Sequence, residues 1–218
     1  FALREFLQNA IDQEILKNHK TENDVLNAYK KVKLTFTGKY YIIESEGDMP
    51  EEAFELGYTT KLNVPLPNKC CLIGRFGIGF KQAIGALKQQ GYNVIIETAG
   101  HSYMYAGMCG EEIKTMDIEG SCRIAILRGK SPVKGKTVVY AEGDRITTNL
   151  LWDKPTRVSA EGGKVYHNGL YSGKWSLPYS VNLCCVSVDE YRTRITPGSV
   201  RMDIILRNFY ASLTPEER

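Results

Sequence analysis

The 218-residue sequence predicts an α+β fold, a two-layer sandwich in which helices cover one face of a mixed, mostly antiparallel sheet. Helical patterns come first, in residues 1–18 and in "ENDVLNAYKKV". Strand-like runs then follow one another from "NVIIETAG" through "SYMYAGMC", "EIKTMDI" and "CRIAILRG" to "KTVVYAE". Because no helical pattern separates these runs, they favour a meander over alternating βα units.

The remaining elements complete this order. "KLTFTGKYYIIES" predicts a pair of strands, and "CLIGRFGIGFKQAIGALKQQGY" predicts a glycine-rich loop that runs into a helix. Further on, Asn168–Gly169 is the strongest short signal for a β-hairpin. We expect a main domain at residues 1–150 and an extension at 151–218 packed on it.

Composition restricts the class of protein only loosely. The net charge of +3 and the pI near 8.4 do not indicate nucleic acid, and no apolar run approaches a membrane span. Six cysteines without zinc-type spacing favour reduced thiols in the cytoplasm. Phe1 lies inside a helical pattern and Thr214 begins one, so we expect the chain to be cut at both ends.

Three polar residues share one face of the first helix. Glu5, Asn9 and Asp12 are spaced by four and three residues, among apolar neighbours. Carboxylates and amides on a buried helix need partners, which indicates a functional site. The alternative is a solvated face with Glu5 and Asp12 as ordinary surface residues, and the helix alone does not decide between the two.

The glycine-rich loop "IGRFGIGF" is a candidate anion site. Gly74, Gly77 and Gly79 permit close approach of the backbone, and the helix that follows offers its free N–H groups. The pattern lacks the Lys-Ser/Thr of a P-loop, and it does not lie in a βαβ unit. Taken alone, the loop is equally well explained as a tight turn.

Together, "LREFLQNAIDQ" and "GRFGIGFKQAI" resemble the GHKL, or Bergerat-fold, ATPase family, in the branch of the Hsp90 chaperones, MutL and MORC proteins. The resemblance covers residues 1–140 and implies a site for ATP and Mg²⁺. It implies that Asn9 binds Mg²⁺, that Glu5 is the general base for the attacking water, and that Asp12 lies near the sugar or base. Residues 57–71 would form a lid. The resemblance also implies that the phosphates are wrapped by Gly74, Phe76, Gly77, Ile78, Gly79 and Phe80.

The chain departs from the family pattern where the adenine base should bind. Glu44 stands at the position of the family's adenine-binding aspartate, and Met49 matches its hydrophobic residue. Glu46 and Asp48 replace glycines; Asp48 is alternatively the N-cap of the next helix. Thr137 is either a base contact through water or an ordinary strand residue. A carboxylate can serve adenine or guanine, so the identity of the base stays open, with adenine favoured by the resemblance.

The resemblance therefore implies a Mg²⁺-dependent ATPase whose nucleotide state drives a conformational change or dimerisation of a larger protein. Its expected partners are the nucleotide and further domains of the same protein, and a nucleotide-dependent homodimer is left open. Two alternatives remain: a non-hydrolysing module that senses purine nucleotides, and a degenerate GHKL domain that serves as an interaction scaffold.

Overall fold

The structure is a computed structural model. It describes residues 1–18, 21–54, 79–106, 114–118, 122–174, 178–183, 206–207 and 209–217. Predictions that concern the lid at 57–71, or Gly74, Phe76, Gly77 and Ile78, lie outside the described residues.

The described helices begin close to the predicted positions. They are α1 (Ala2–Asn18), α2 (Glu22–Asn27) and α3 (Gly79–Gln89), with 3₁₀ turns at Ala28–Lys31, Glu51–Phe54 and Pro215–Glu217. A capping box fixes the start of α2: the Asp24 backbone N–H donates to the Thr21 hydroxyl at 3.1 Å, and the Thr21 N–H donates to the Asp24 carboxylate at 2.8 Å. The second predicted helix is an α-helix only as far as Asn27, and it continues as the 3₁₀ turn Ala28–Lys31.

The large sheet has seven strands in the order β1-β2-β7-β3-β4-β6-β5. Every pairing within it is antiparallel. The predicted α+β class is confirmed, and the parallel pairing that makes the fold mixed lies in a second sheet. The strands of the large sheet are β1 (Lys33–Phe36), β2 (Tyr40–Glu46), β3 (Val94–Thr98), β4 (His101–Ala106), β5 (Lys114–Ile118), β6 (Cys122–Lys130) and β7 (Lys136–Glu142).

The helices pack on one face of this sheet and bury its inner side chains. Successive side chains of a strand point to opposite faces, so the buried residues of β2 and β3 identify the inner face. Helices α1 and α3 supply the apolar side chains that lie opposite. The resulting core includes Phe6, Leu7, Ile11 and Ile15 of α1, Ala83 and Ile84 of α3, Tyr41 and Ile43 of β2, and Val94 and Ile96 of β3.

The second sheet lies in the C-terminal part of the chain, in the order β10-β9-β11-β8. The hairpin predicted at Asn168–Gly169 is confirmed, since this turn joins β9 to β10. The two residues have φ of 47° and 80°, and a type I′ hairpin turn needs positive φ at both of its central residues. Strands β9 and β11 pair in parallel. The strands are β8 (Val158–Ser159), β9 (Lys164–His167), β10 (Leu170–Lys174) and β11 (Ser180–Leu183).

This second sheet shares the main core. Trp152, Tyr166 and Leu170 belong to the same buried cluster as α1 and the large sheet. The large sheet ends at Glu142 and the second begins at Val158, on either side of the predicted boundary near residue 150. In the described part of the chain, no helix has both the length and the apolar character needed to cross a bilayer.

Candidate functional site

The polar residues of α1 are buried. Glu5 is 1% exposed and Asp12 is fully buried, while Asn9 is half-buried. The alternative of a solvated helix face for Glu5 and Asp12 is therefore wrong. Two further polar residues of the same helix, Gln8 and Glu14, are 2% and 1% exposed. Helix α1 carries an unusual amount of buried polar surface, which is costly unless the fold or a ligand uses it.

Asn9 is tied to Glu5 by a contact one helical turn back. The Asn9 side-chain amide donates to the Glu5 backbone carbonyl at 3.0 Å. Because that carbonyl can only accept, it fixes which end of the amide faces the helix. The other end, Oδ1, is a hard oxygen of the kind that Mg²⁺ accepts as a ligand. The Arg4 guanidinium lies 3.9 Å from the Glu5 carboxylate.

Helices α1 and α3 meet at their N-terminal halves. The rings of Phe6 and Phe80 pack edge to face, with centroids 5.5 Å apart and an interplanar angle of 72°. Phe80 is 7% exposed and belongs to the core. This contact brings the start of α3 at Gly79, where the glycine-rich segment ends, next to the turn of α1 that carries Glu5. The structure thus brings together the described ends of the two motifs.

Glu44 does not join them. On β2 it alternates with the inward Ile43 and Ser45, so it lies on the outer face of the sheet. Its carboxylate pairs there with the Lys136 ammonium at 2.7 Å. The hydrogen bond from Lys136 holds the pKa of the Glu44 carboxyl below its usual value. Its longer side chain is used for a pairing across the sheet surface and does not approach α1.

Thr137 faces inward, unlike Glu44, and is 2% exposed. Its hydroxyl donates to the Gly47 carbonyl at 2.8 Å and lies 3.1 Å from the hydroxyl of Thr98, which is fully buried. The Met49 N–H donates to Thr98 Oγ1 at 2.7 Å. Because Thr137 gives its one proton to a carbonyl, Thr98 must donate to Thr137. The three hydrogen bonds therefore share one direction of donation: the Met49 N–H donates to Thr98, Thr98 donates to Thr137, and Thr137 donates to the Gly47 carbonyl.

Asp48 ties the same segment to the neighbouring loops. Its Oδ1 accepts from the N–H groups of Ala99 and Gly135, both at 2.9 Å. The Gly47 N–H donates to the Gly135 carbonyl at 2.8 Å. The sequence allows Asp48 to be a helix N-cap, but in the structure its carboxylate connects three loops that are far apart in sequence.

The C-terminal half of α1 holds residues 46–49 from the other side. Glu14 accepts from the Glu46 N–H at 2.9 Å, and the Lys17 ammonium donates to the Glu46 carbonyl. Burial raises the pKa of the Glu14 carboxyl, which Lys17 only partly offsets. Gly47 has φ of +84°, a backbone conformation that favours glycine, and a Cβ there would displace the end of the Lys17 side chain.

Three residues near these motifs were missed by sequence reasoning. Thr98 could have been found, because it continues the inward alternation of Val94 and Ile96 on β3. Glu14 carries no local signal, since its partner Glu46 is distant in sequence. Lys81, in the first turn of α3, is 1% exposed, and a lysine in an amphipathic helix ordinarily indicates the solvent side.

The described residues contain no group of three or more His, Cys, Asp or Glu side chains arranged to hold a metal ion. A Mg²⁺ ion bound by one side-chain oxygen, by phosphates and by water does not need such a group. Asn9 supplies an oxygen of that kind at a half-buried position. Comparisons of the chain with family models, curated proteins and solved structures found no match.

Proposed function

We propose that this chain is a Mg²⁺-dependent domain that binds and hydrolyses ATP, and that its nucleotide state changes the conformation or association of a larger protein. The observation that carries the proposal is the buried Glu5 carboxylate, one turn from Asn9 on a helix that packs against the first turn of α3. A general base and a metal ligand on adjacent turns can act on the same terminal phosphate.

The packing of α1 on α3 supports this assignment. The Phe6–Phe80 contact packs the N-terminal parts of α1 and α3 together, and at a helix start free N–H groups and the helix dipole favour phosphate. Helix α3 is preceded by a glycine-rich sequence, which permits close backbone approach to an anion. The two features would supply what phosphoryl transfer to water needs, which is a positioned base and a backbone that binds an anion.

Each side chain then has a definite role. Glu5 would take the proton of the attacking water, and the Asn9 Oδ1 would be a ligand of the cation. When bound, Mg²⁺ would neutralise charge on the phosphates. Asp12, three residues beyond Asn9 and fully buried, would lie towards the sugar.

The test is Mg²⁺-dependent phosphate release from ATP, measured alongside ATP affinity by calorimetry. We expect Glu5→Gln to lower turnover by about 10²–10⁴-fold with little change in affinity, because only proton transfer is lost. Asn9→Ala should weaken binding in the presence of Mg²⁺ and have less effect without it. The matched control is Glu97→Gln, since Glu97 lies on the outer face, bonded to Tyr140 at 3.0 Å.

Either of two results would overturn the proposal: a wild-type chain that neither binds nor turns over ATP with Mg²⁺, or a Glu5→Gln variant that turns over at the wild-type rate.

A second candidate is a module that binds purine nucleotides without hydrolysing them. The altered base end favours it, because Glu44 faces outward and residues 46–49 are held by the protein's own contacts. Tight nucleotide binding without phosphate release, unchanged in Glu5→Ala, would select this candidate. Absence of any heat with nucleotides would instead favour an interaction scaffold.

A further inference from the structure

We infer that a cavity beside the second sheet is a binding site for an alkylammonium group, carried either by a small amine or by a lysine side chain. The cavity has a volume of about 240 Å³ and is partly open to solvent. Its lining residues all lie between positions 149 and 180. This site is therefore independent of the proposed nucleotide site on α1 and α3.

The volume of the cavity limits the size of its ligand. Pockets for drug-sized ligands and cofactors measure about 300–1,000 Å³. At about 240 Å³, this cavity lies below that range. It suits a single side chain or a small molecule, and it is too small for a nucleotide.

Two nearly buried aromatic rings line the cavity. Trp152 and Tyr166 pack edge to face with their centroids 5.0 Å apart, and they are 6% and 4% exposed. Their polar hydrogens are used within the protein: the Trp152 indole N–H donates to the Thr156 carbonyl at 3.0 Å, and the Tyr166 hydroxyl donates to the Asn149 carbonyl at 2.9 Å. The rings therefore offer the cavity aromatic surface, which attracts ammonium groups.

Carboxylates from two separate segments line the same cavity. Asp153 follows Trp152 in the chain, and Glu161 lies in the loop between β8 and β9. Burial raises the pKa of Tyr166 to about 12, and the negative charge of Asp153 adds to the rise, so this charge acts on the aromatic lining. Carboxylates accept strong hydrogen bonds from an ammonium group, and aromatic rings beside them favour the same charge.

A lysine of the chain itself lies between the two carboxylates. The Lys154 ammonium is 2.7 Å from Glu161 and 3.8 Å from Asp153. Its hydrogen bond with Glu161 raises the pKa of Lys154 and lowers that of the Glu161 carboxyl. The Asp153 and Glu161 side chains are 59% and 79% exposed, and exposed ion pairs contribute little to stability. The ammonium group of a ligand can therefore take the place of Lys154 at small cost.

The charge balance of the lining favours exchange over simple addition. Asp153 and Glu161 are matched by two ammonium groups, those of Lys154 and Lys164. A ligand cation that displaces Lys154 leaves this balance unchanged, whereas one that binds beside it adds a third positive charge. Lys154 is therefore the internal competitor of the ligand.

The experiment titrates n-butylammonium into the 218-residue chain at pH 7 and follows the Trp152 indole N–H resonance by NMR. Lys154→Met keeps the apolar stem and removes the competitor, so it should tighten binding by about threefold or more. In that background, a second change, Glu161→Gln, should weaken binding by about threefold or more, because an ionised acceptor is lost. The uncharged probe n-butanol should bind Lys154→Met about tenfold more weakly than n-butylammonium.

The matched control is Lys39→Met. Lys39 also pairs with a glutamate, Glu142, at 3.4 Å, and its ammonium lies 5.2 Å from the centroid of the Tyr40 ring. Because Lys39 is not part of the cavity lining, its replacement should leave the affinity measured at Trp152 unchanged.

Four results would each overturn the inference: no saturable shift in Lys154→Met, equal affinity of wild type and Lys154→Met, equal affinity for n-butanol and n-butylammonium, or tightening in Lys39→Met as large as in Lys154→Met. A parallel titration with N-acetyl-lysine methylamide distinguishes the carriers of the ammonium group. Affinity equal to that of n-butylammonium indicates a site for a lysine side chain, and weaker affinity indicates a site for a small amine. Failure of the chain to bind ATP would affect none of these results.

Discussion

Gly169 offers a direct test of how the second sheet is joined to the N-terminal region. It is the second residue of the β9–β10 turn, with φ of +80°, and its Cα faces the ring of Tyr29. A Cβ at this position would overlap the ring carbons Cγ, Cδ1 and Cδ2 of Tyr29, which is 5% exposed. The ring is held in the core and the turn is held by its hydrogen bonds, so neither can move away cheaply.

The expected cost of Gly169→Ala has two parts. The left-handed backbone conformation costs a non-glycine residue about 1–2 kcal/mol. Overpacking against a fixed ring costs about 1–3 kcal/mol more. We therefore expect the free energy of unfolding to fall by about 2–5 kcal/mol, a large share of the ~5–15 kcal/mol typical of native proteins.

The assay is urea unfolding followed by tryptophan fluorescence and circular dichroism. Two controls separate the backbone cost from the packing cost. Gly38 has φ of +92°, and a Cβ there would have no neighbour within 4 Å; Gly173 has neither a positive φ nor such a neighbour. The control variants are Gly38→Ala and Gly173→Ala. The first should lose about 1–2 kcal/mol and the second less than about 0.5 kcal/mol. If Gly169→Ala costs no more than Gly38→Ala, the packing of Tyr29 on the turn is refuted.

Two further predictions concern residues 46–49. Thr137→Val keeps the shape of the side chain but leaves the buried Gly47 carbonyl without its donor, so the free energy of unfolding should fall by about 1–3 kcal/mol. The exposed control Thr35→Val should lose less than about 0.5 kcal/mol. Equal losses of the two variants in urea titrations would contradict the hydrogen bond. Burial raises the pKa of Glu14 above 4.5, so wild type should lose stability as pH rises from 4.5 through the higher folded-state pKa. Glu14→Gln should lack this loss, and urea midpoints that follow the same pH profile in both proteins would rule it out.

Much of the fold could be predicted because its signals are local. The capping box of α2 lies within four residues, and the Asn168–Gly169 turn within two. The strands from β3 to β7 each show their own apolar pattern. Strand order could not be predicted, because β7 lies between β2 and β3 and no local signal records which neighbour a strand finds.

The direction of Glu44 shows why the base end was harder to predict. The run Tyr40–Ile43 is apolar at four successive positions, so alternation gives no phase, and either face could have been the inner one. The phase is set in the fold by the buried Tyr41 and Ile43. A carboxylate at the expected position in the sequence can therefore lie on the opposite face of the sheet.

The two ends of the candidate site differ in the range of the contacts that build them. Glu5 and Asn9 are one helical turn apart, and their contact is fixed by the helix itself, so sequence spacing is sufficient evidence for it. Asp48 bonds to residues 51 and 87 positions away. Such contacts depend on strand order and register, which short motifs do not encode. Helical spacing is therefore sufficient to predict that Glu5 and Asn9 lie together, whereas it does not predict which residues surround Asp48.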